Sequence, residues 1–440
     1  MTDLAVDPYY PDMNESARQL NISLEGTIVG KLLSATGRRM YFPRGIVAQS
    51  GEARKHAHRL NATAGIATQG GQPLFLTPIR ENIPHLPPEE IFSYATTAGH
   101  PPLRELWLRE MVDKNPSLKD KKTSLPIVVS GLTHGLSLLA DLFVEAGDTV
   151  ILPDLFWGNY RLIFEDKMGA HLLTFPLFTT AGALNLEALE RLLKELKGGK
   201  VILLLNFPNN PTGYSPNKSE GKQLLDLLWR AGEAGTQLLL ITDDAYFGLF
   251  YEQDIYSQSM FAEAADLHEN ILAVKVDGAT KENLVWGFRV GFLTFASRGL
   301  HGEEDYTALT QKVMGAVRCS VSNSSSLSQS LVLRGMQSPA YGEEKKRVFA
   351  ILRERYLRSR RILEALPGPL RALPFNSGYF LSFDTGALSA ERLRKILLKD
   401  KGIGTISIQD RYLRVAYSSV DVEKLEDLYK TIMQTASDLS

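Results

Sequence analysis

The chain has 440 residues, 44% of them hydrophobic and 22% charged, and a formal net charge of −1. This length predicts two domains rather than one ordinary core, and the balanced charge gives no field to draw nucleic acid or an anionic membrane. A single cysteine, Cys319, excludes an intrachain disulfide, no apolar run reaches membrane-spanning length, and the acidic, proline-broken start is not a signal peptide, so the expected location is cytoplasmic.

Residues 1–50 carry short amphipathic helical patterns (Asn14 to Leu20, Thr27 to Thr36) and then YFPRG, and read as an arm or part of a smaller domain. GTIVGK at 26–31 is not a phosphate loop, because its glycines are too close and no strand precedes it. The basic run 54–59 sits in a helical stretch as a solvated face; His56 and His58 are two apart and point different ways. From Pro87 onward helices and strands alternate. Helix 103–112 precedes strand 126–130, and helix 136–147 precedes strand 149–153. Strand 172–176, helix 184–197, strand 201–205, helix 221–232 and strand 237–243 follow, then strands 271–276 and 290–296. The strands are continuous apolar runs, the pattern of a parallel sheet covered on both faces. The expectation is an α/β layered domain with about seven strands. After Ser322 a long helical pattern (341–366) and short strands at 378–383, 405–409 and 412–417 suggest a smaller α+β domain.

The chemistry-bearing residues lie at strand ends. Strand 271–276 stops at Asp277-Gly278, read as a turn, and Thr280 and Lys281 follow on a glycine-containing loop. Arg289 comes eight residues after Lys281, inside GFRVGF. A lysine held at a strand exit suits a partly desolvated amine of lowered pKa. NFPNNPTG (206–213) follows one strand, DDAY (243–246) another, and Arg414 stands in YLRVAYSS. Ser130 to Gly135 links a strand to a helix, whose N-terminal N–H groups favour an anion.

The ordered set Asn-Pro-Thr-Gly, Asp-x-Ala-Tyr, Lys with Arg eight residues on, and a late Arg-Val-Ala resembles the class I/II aminotransferases, pyridoxal-phosphate enzymes of fold type I. The resemblance runs from about Ala64 to Tyr417. It implies a large domain with a mostly parallel seven-stranded sheet over 76–322, a smaller α+β domain over 323–440, and residues 1–75 as an arm and part of the small domain. It also implies these site roles. Gly131, Leu132 and Thr133 hold the phosphate of pyridoxal 5′-phosphate with Arg289, and Tyr94 reaches it across a homodimer interface. Trp157 stacks on the ring, Asp243 bonds its nitrogen, and Asn210 and Tyr246 bond its phenolic oxygen. Lys281 forms the Schiff base and then moves the substrate's Cα proton. Arg414 grips the α-carboxylate, and the NATAGI segment (61–66) brings Gly65 near the substrate.

Competing residues are open at two places: Asp244 beside Asp243, and Arg411 beside Arg414. Two positions depart from the family. Gly278 stands where a phosphate-binding serine is usual, so that bond is missing or comes from Thr280, and Ser377 replaces a glycine in the pocket turn 376–379. The expected activity is amino-group exchange between an amino acid and a 2-oxo acid. A lyase using the same Cα carbanion is the nearest rival, and a non-catalytic pyridoxal-phosphate-binding regulator is a further one. A nicotinamide dehydrogenase is disfavoured, since no strand leads into G-x-G-x-x-G. No metal site is expected. No motif marks a second cation for an acidic side chain; Arg39 and Arg44 are named without one.

Overall fold

The computed structural model describes residues 13–24, 38–39, 46–63, 65–300 and 302–439. The pattern at Thr27 to Thr36, the GTIVGK segment, YFPRG with Arg44, and Ala64 lie outside the described residues. Near the start, α1 (Glu15–Ser23) matches the helical pattern read there, and α2 (Ile46–His56) carries only the first half of the basic run, Arg54 to His56.

The large sheet is built from β1 (Ile127–Val129), β2 (Thr149–Pro153), β3 (His171–Phe175), β4 (Lys200–Leu205), β5 (Gln237–Asp243), β6 (Ile271–Gly278) and β7 (Gly291–Ala296). Its order is β1-β7-β6-β5-β4-β2-β3. Only β7 runs against its neighbours, so the other six strands share one direction and bring their carboxyl ends to one edge. Residues along a strand alternate between faces. Ile202 and Leu204 of β4 join an apolar layer with Leu136 and Leu139. Val201, Leu203 and Leu205 join a second layer with Leu189, Leu193, Leu224 and Leu228. Each face thus has its own helices: α3 (Leu132–Phe143) on one, α4 (Leu186–Glu195) and α5 (Lys218–Glu233) on the other. This is the fold-type-I α/β architecture. The start of α5 is set by a reciprocal capping box between Asn217 and Glu220.

Toward the C-terminus, α6 (Tyr341–Ala365) leads to a four-stranded sheet in which β8 (Phe380–Asp384) pairs antiparallel with β10 (Tyr412–Ala416), and β10 with β9 (Ile406–Ile408). Helices α7 (Ala390–Lys401) and α8 (Leu425–Ser437) complete this part of the chain.

Three local expectations are corrected. Asp277 and Gly278 are not a turn but the last two residues of β6, paired with Phe292 and Gly291. The ladder carries them, and Lys281 sits on the helical turn Ala279–Glu282 rather than on a loop. The expected helix 136–147 begins four residues earlier, at Leu132, directly after Gly131 at φ 85°. NATAGI, which the resemblance makes a first strand and a glycine turn, has Asn61 alone among its described residues in a strand, in the two-residue segment Leu60–Asn61 parallel to Ile403–Gly404.

Candidate active site

A cavity of about 300 Å³ opens at the carboxyl edge of the large sheet and is closed from the other side by the C-terminal sheet. Its wall brings together Gly65, Leu132, Thr133, Trp157, Asn210, Asp243, Tyr246, Thr280, Lys281, Arg289 and Arg414. These residues come from segments up to several hundred positions apart. Two expected residues are not in the wall. Gly131 lies just beneath Arg289, and Tyr94 is 91% exposed on the surface. The turn 376–379 is absent too. Buried Ser377 bonds Ser215 and the Gly213 carbonyl instead, and the next residue, Phe380, reaches the cavity.

Lys281 is the central group. Burial lowers its amine to about 8; Asp243 opposes that shift and Arg289 adds to it. Its Nζ stands 4.9 Å from the centre of the Tyr246 ring. Asp243 ends β5 almost fully buried, and burial raises its carboxyl. The Tyr160 hydroxyl donates to Asp243 Oδ2 at 2.6 Å, and the Ala245 N–H donates to Oδ1 at 3.1 Å. Asp244 is not the cavity residue. It faces the other way, accepting from Ser259 Oγ at 2.5 Å and pairing with Lys275.

The anion end is a close meeting of backbones. Gly131 (φ 85°) lies under Arg289, whose Nη2 would sit 2.2 Å from a Cβ there. Gly291 of β7 lets the Gly131–Leu132 backbone approach, where a Cβ would stand 2.8 Å from the Gly131 carbonyl carbon. A Cβ on Gly278 would meet Val290 O at 2.7 Å and Gly291 Cα at 2.8 Å. No serine fits there without moving β7. Thr280, two residues on, has a buried Oγ1 with no hydrogen-bond partner among the described residues. A glycine cradle at the start of α3, a guanidinium and an orphaned hydroxyl are the donor set a phosphate needs, so these residues fit pyridoxal phosphate.

At the opposite wall Arg414 extends from β10. Its Nη1 donates to Asn210 Oδ1 at 2.9 Å and its Nη2 to the Thr63 carbonyl at 3.0 Å, while its buried Nε has no partner among the described residues. The guanidinium carbon lies 4.3 Å from the Phe380 ring centre, and burial lowers this arginine to about 10. Arg411 instead makes a surface ion pair with Asp384 at 3.1 Å. The NNPTG turn is shaped by its own side chains, with Thr212 Oγ1 donating to Asn209 Oδ1 at 2.8 Å and Gly213 at φ 74° packed against the Phe380 carbonyl. Arg39, named for an acidic side chain, donates to the carbonyls of Asp166 and Lys167 at 2.7 and 2.9 Å.

Sequence reasoning missed Ser50, Thr63, Tyr160, Asn206, Ala245, Trp286 and Phe380 in the wall. Tyr160 had a findable signal, since it follows Trp157 by three residues and lies next to Asp243. Asn206 opens the recognised NFPNNPTG motif; its Nδ2 donates to the Asp243 carbonyl at 2.8 Å and its Oδ1 accepts from the Asn210 N–H at 2.8 Å. Thr63 acts through its carbonyl, which no side-chain pattern could reveal. No group of histidines, cysteines and carboxylates suited to a metal occurs among the described residues, nor any helix long and apolar enough to cross a membrane.

The family model described as aminotransferase class I and II matches residues 63–432. Among curated relatives, a probable N-acetyl-LL-diaminopimelate aminotransferase of Bacillus subtilis is 25% identical over 272 residues, 60% of this chain and 61% of that one. The chain thus spans about three fifths of that relative's length. An aspartate aminotransferase of Pyrococcus horikoshii is 24% identical over 405 residues, 88% of this chain and 96% of that one. Among solved structures, an aminotransferase from Anaerococcus prevotii superposes with a TM-score of 0.79 at 22% identity, covering 91% of this chain and 97% of that one. With most of its length matched by the family model, the chain belongs to the class I and II aminotransferases, pyridoxal 5′-phosphate-dependent enzymes of fold type I.

Proposed function

We propose that this transaminase moves an amino group between an amino acid and a 2-oxo acid in the one cavity, with Lys281 as its reactive amine. The observation that carries this is the Lys281 amine, lowered to about 8 and flanked by Asp243 and Arg289. Bound pyridoxal phosphate supplies an aldehyde that condenses with amines and a ring that takes up the electrons of a breaking Cα–H bond. The N–H groups of Leu132 and Thr133, with Thr280 and Arg289, would hold its phosphate. Trp157 would lie against the ring and Asp243 would keep the ring nitrogen protonated, with Tyr160 steadying Asp243. Tyr246 and Asn210 would bond the phenolic oxygen. Arg414, already anchored by Asn210 and Thr63, receives the α-carboxylate and fixes which bond at Cα stands ready to break, while Gly65 leaves room beside it. Lys281 Nζ takes the Cα proton and returns it on the other side of the exchange.

The chain divides at about 76 and 323, with the phosphate and ring groups on the middle unit and Arg414 on the C-terminal one. A homodimer with shared sites is part of the proposal: Tyr94 is exposed beside Phe92, itself 83% exposed, as a residue serving a partner's cavity would be. The cytoplasm is its proposed location. Incubation with an amino acid and a 2-oxo acid tests the chemistry. A new amino acid formed in step with loss of the donor supports transamination, whereas ammonia and pyruvate released without the 2-oxo acid would indicate a lyase. Screening donors against 2-oxoglutarate, pyruvate and oxaloacetate then defines the pair.

A further inference from the structure

Behind the cavity, on the opposite face of β5 and β6, lies a second set of charges that the reaction does not touch. Thr242 stands opposite Lys275 and Asp243 opposite Val276, so alternation puts Lys275 and Asp277 on the face turned away from Asp243. Asp244, whose N–H donates to the Val276 carbonyl, joins them there. The Lys275 ammonium, 1% exposed, pairs with Asp244 and, at 3.3 Å, with Asp277. It also lies 4.5 Å from the Phe247 ring centre. Each carboxylate has a further fixed donor. Ser259 Oγ holds Asp244 at 2.5 Å, and the Trp107 indole N–H holds Asp277 at 3.2 Å while its ring stacks on Phe292 at 4.1 Å.

This arrangement resolves an electrostatic problem. Asp243 and Asp244 are consecutive buried carboxylates, and like charges at that spacing resist ionising together. Asp243 must stay ionised to hold a protonated ring nitrogen. Asp243 is faced by Tyr160, Lys281 and the Ala245 N–H, and it feels Lys275 and Asp244 through the strand. Lys275 in turn is faced by Asp244, Asp277 and Glu282. Lys281 cannot serve as the lasting counter-charge, because its amine is consumed in holding the cofactor. Lys275 is the buried cation that stays.

We propose that Lys275 is a positioning residue for the reaction: clamped between Asp244 and Asp277, it keeps Asp243 ionised and fixes the end of β5, where Asp243 stands, and the end of β6, from which the helical turn carrying Lys281 leaves. This rests on the reading of Asp243 and Lys281 given above. The test is a pH titration of the bound cofactor's visible absorbance in four proteins: the wild type, Lys275→Met, Asp244→Asn and the double variant. Removing the cation raises the midpoint, by about one pH unit, and removing the anion lowers it by a similar amount. The double variant returns toward the wild type, and its kcat recovers most of a loss of about tenfold or more in Lys275→Met. A tie that only braced the fold would give no opposite signs and no rescue. If Lys275→Met does not fold because its carboxylates are left unpaired, the downward shift of Asp244→Asn and the near-normal double variant carry the proposal. Midpoints unmoved, or moved in one direction, in variants that bind cofactor overturn it and leave the roles of Asp243 and Lys281 standing. A wild type with no pH-dependent cofactor absorbance removes that underlying reading, and this proposal with it.

Discussion

Lys275 lies in β6 and Lys281 six residues on, in the helical turn that follows it. The first is fully buried, the second half-buried in the cavity wall, and their amines move in opposite directions. Burial alone lowers both. At Lys275 the carboxylates of Asp244 and Asp277 outweigh it and raise the amine; at Lys281 the single carboxylate of Asp243 does not, and Arg289 adds to the loss. The lesson is that enclosure sets the size of the stakes and the partners set the sign. A lysine with two carboxylates is a structural cation, and one left short of partners beside a cavity is a reagent.

The strongest way to break the comparison is to remove the reagent. Lys281→Ala should lower turnover on the order of 10⁴-fold and abolish the absorbance of covalently held cofactor, while the fold measured by circular dichroism survives. Retained turnover would show that some other group carries the proton. Arg414→Ala comes next. Loss of a charge-assisted grip on a carboxylate should raise KM for amino acids by about 10²-fold, with cofactor retention nearly unchanged. Equal losses of both would mean that Arg414 mainly braces Asn210 and the Thr63 carbonyl.

A smaller effect sharpens the comparison from the side of stability. Glu282, the residue after Lys281, is paired with Lys114 and, at 2.6 Å, with Lys345 of α6. Burial by itself would raise its carboxyl, but the two lysines reverse that and hold it far below the usual range. A group whose pKa falls on folding contributes stability above its unfolded pKa, and that stability is lost as pH drops toward the folded value. Glu282→Gln should therefore cost about 3 kcal/mol near neutral pH and progressively less in acid. A denaturation series across pH checks this; a pH-independent loss would point to packing instead.

The free-amine fraction gives a fourth measurement with no change to the sequence. In cofactor-free protein an amine lowered to about 8 is roughly 10% unprotonated at pH 7, against about 0.03% for an ordinary lysine. Its labelling by an aldehyde and reductant should rise through pH 8, whereas Lys275, raised and enclosed, stays unlabelled. Labelling of Lys281 that rises only above pH 10 would contradict the depressed value.

Much of this was readable in the residues. The parallel strands appeared as unbroken apolar runs because both sheet faces are covered, and the motifs at their ends marked the cavity. What stayed hidden has physical reasons. Asp277-Gly278 looked like a turn because the pair is common in turns, but the ladder to Gly291 and Phe292 and the Trp107 indole made it strand. Gly278 looked like a lost phosphate ligand, although the approach of β7 leaves no space for a side chain there. Thr63 enters through a backbone carbonyl, and Lys275 reads in sequence as one polar residue in a strand, since pairing across strands is long-range information.

The smallest expected effect separates the two arginines of β10 and its approach. Arg411 and Arg414 are indistinguishable by composition, yet the Arg411 side chain is 58% exposed and pairs with Asp384, while that of Arg414 is 2% exposed. An exposed pair gains little, because water screens it and two side chains lose freedom to hold it. Arg411→Ala should cost under about 1 kcal/mol of stability and leave KM within about twofold of wild type. Asp384 keeps Arg371 at 3.3 Å as a second partner, which reduces the loss further. A KM rise comparable to that of Arg414→Ala would mean the carboxylate is received at the strand's solvent end, and the cavity assignment of Arg414 would have to be abandoned.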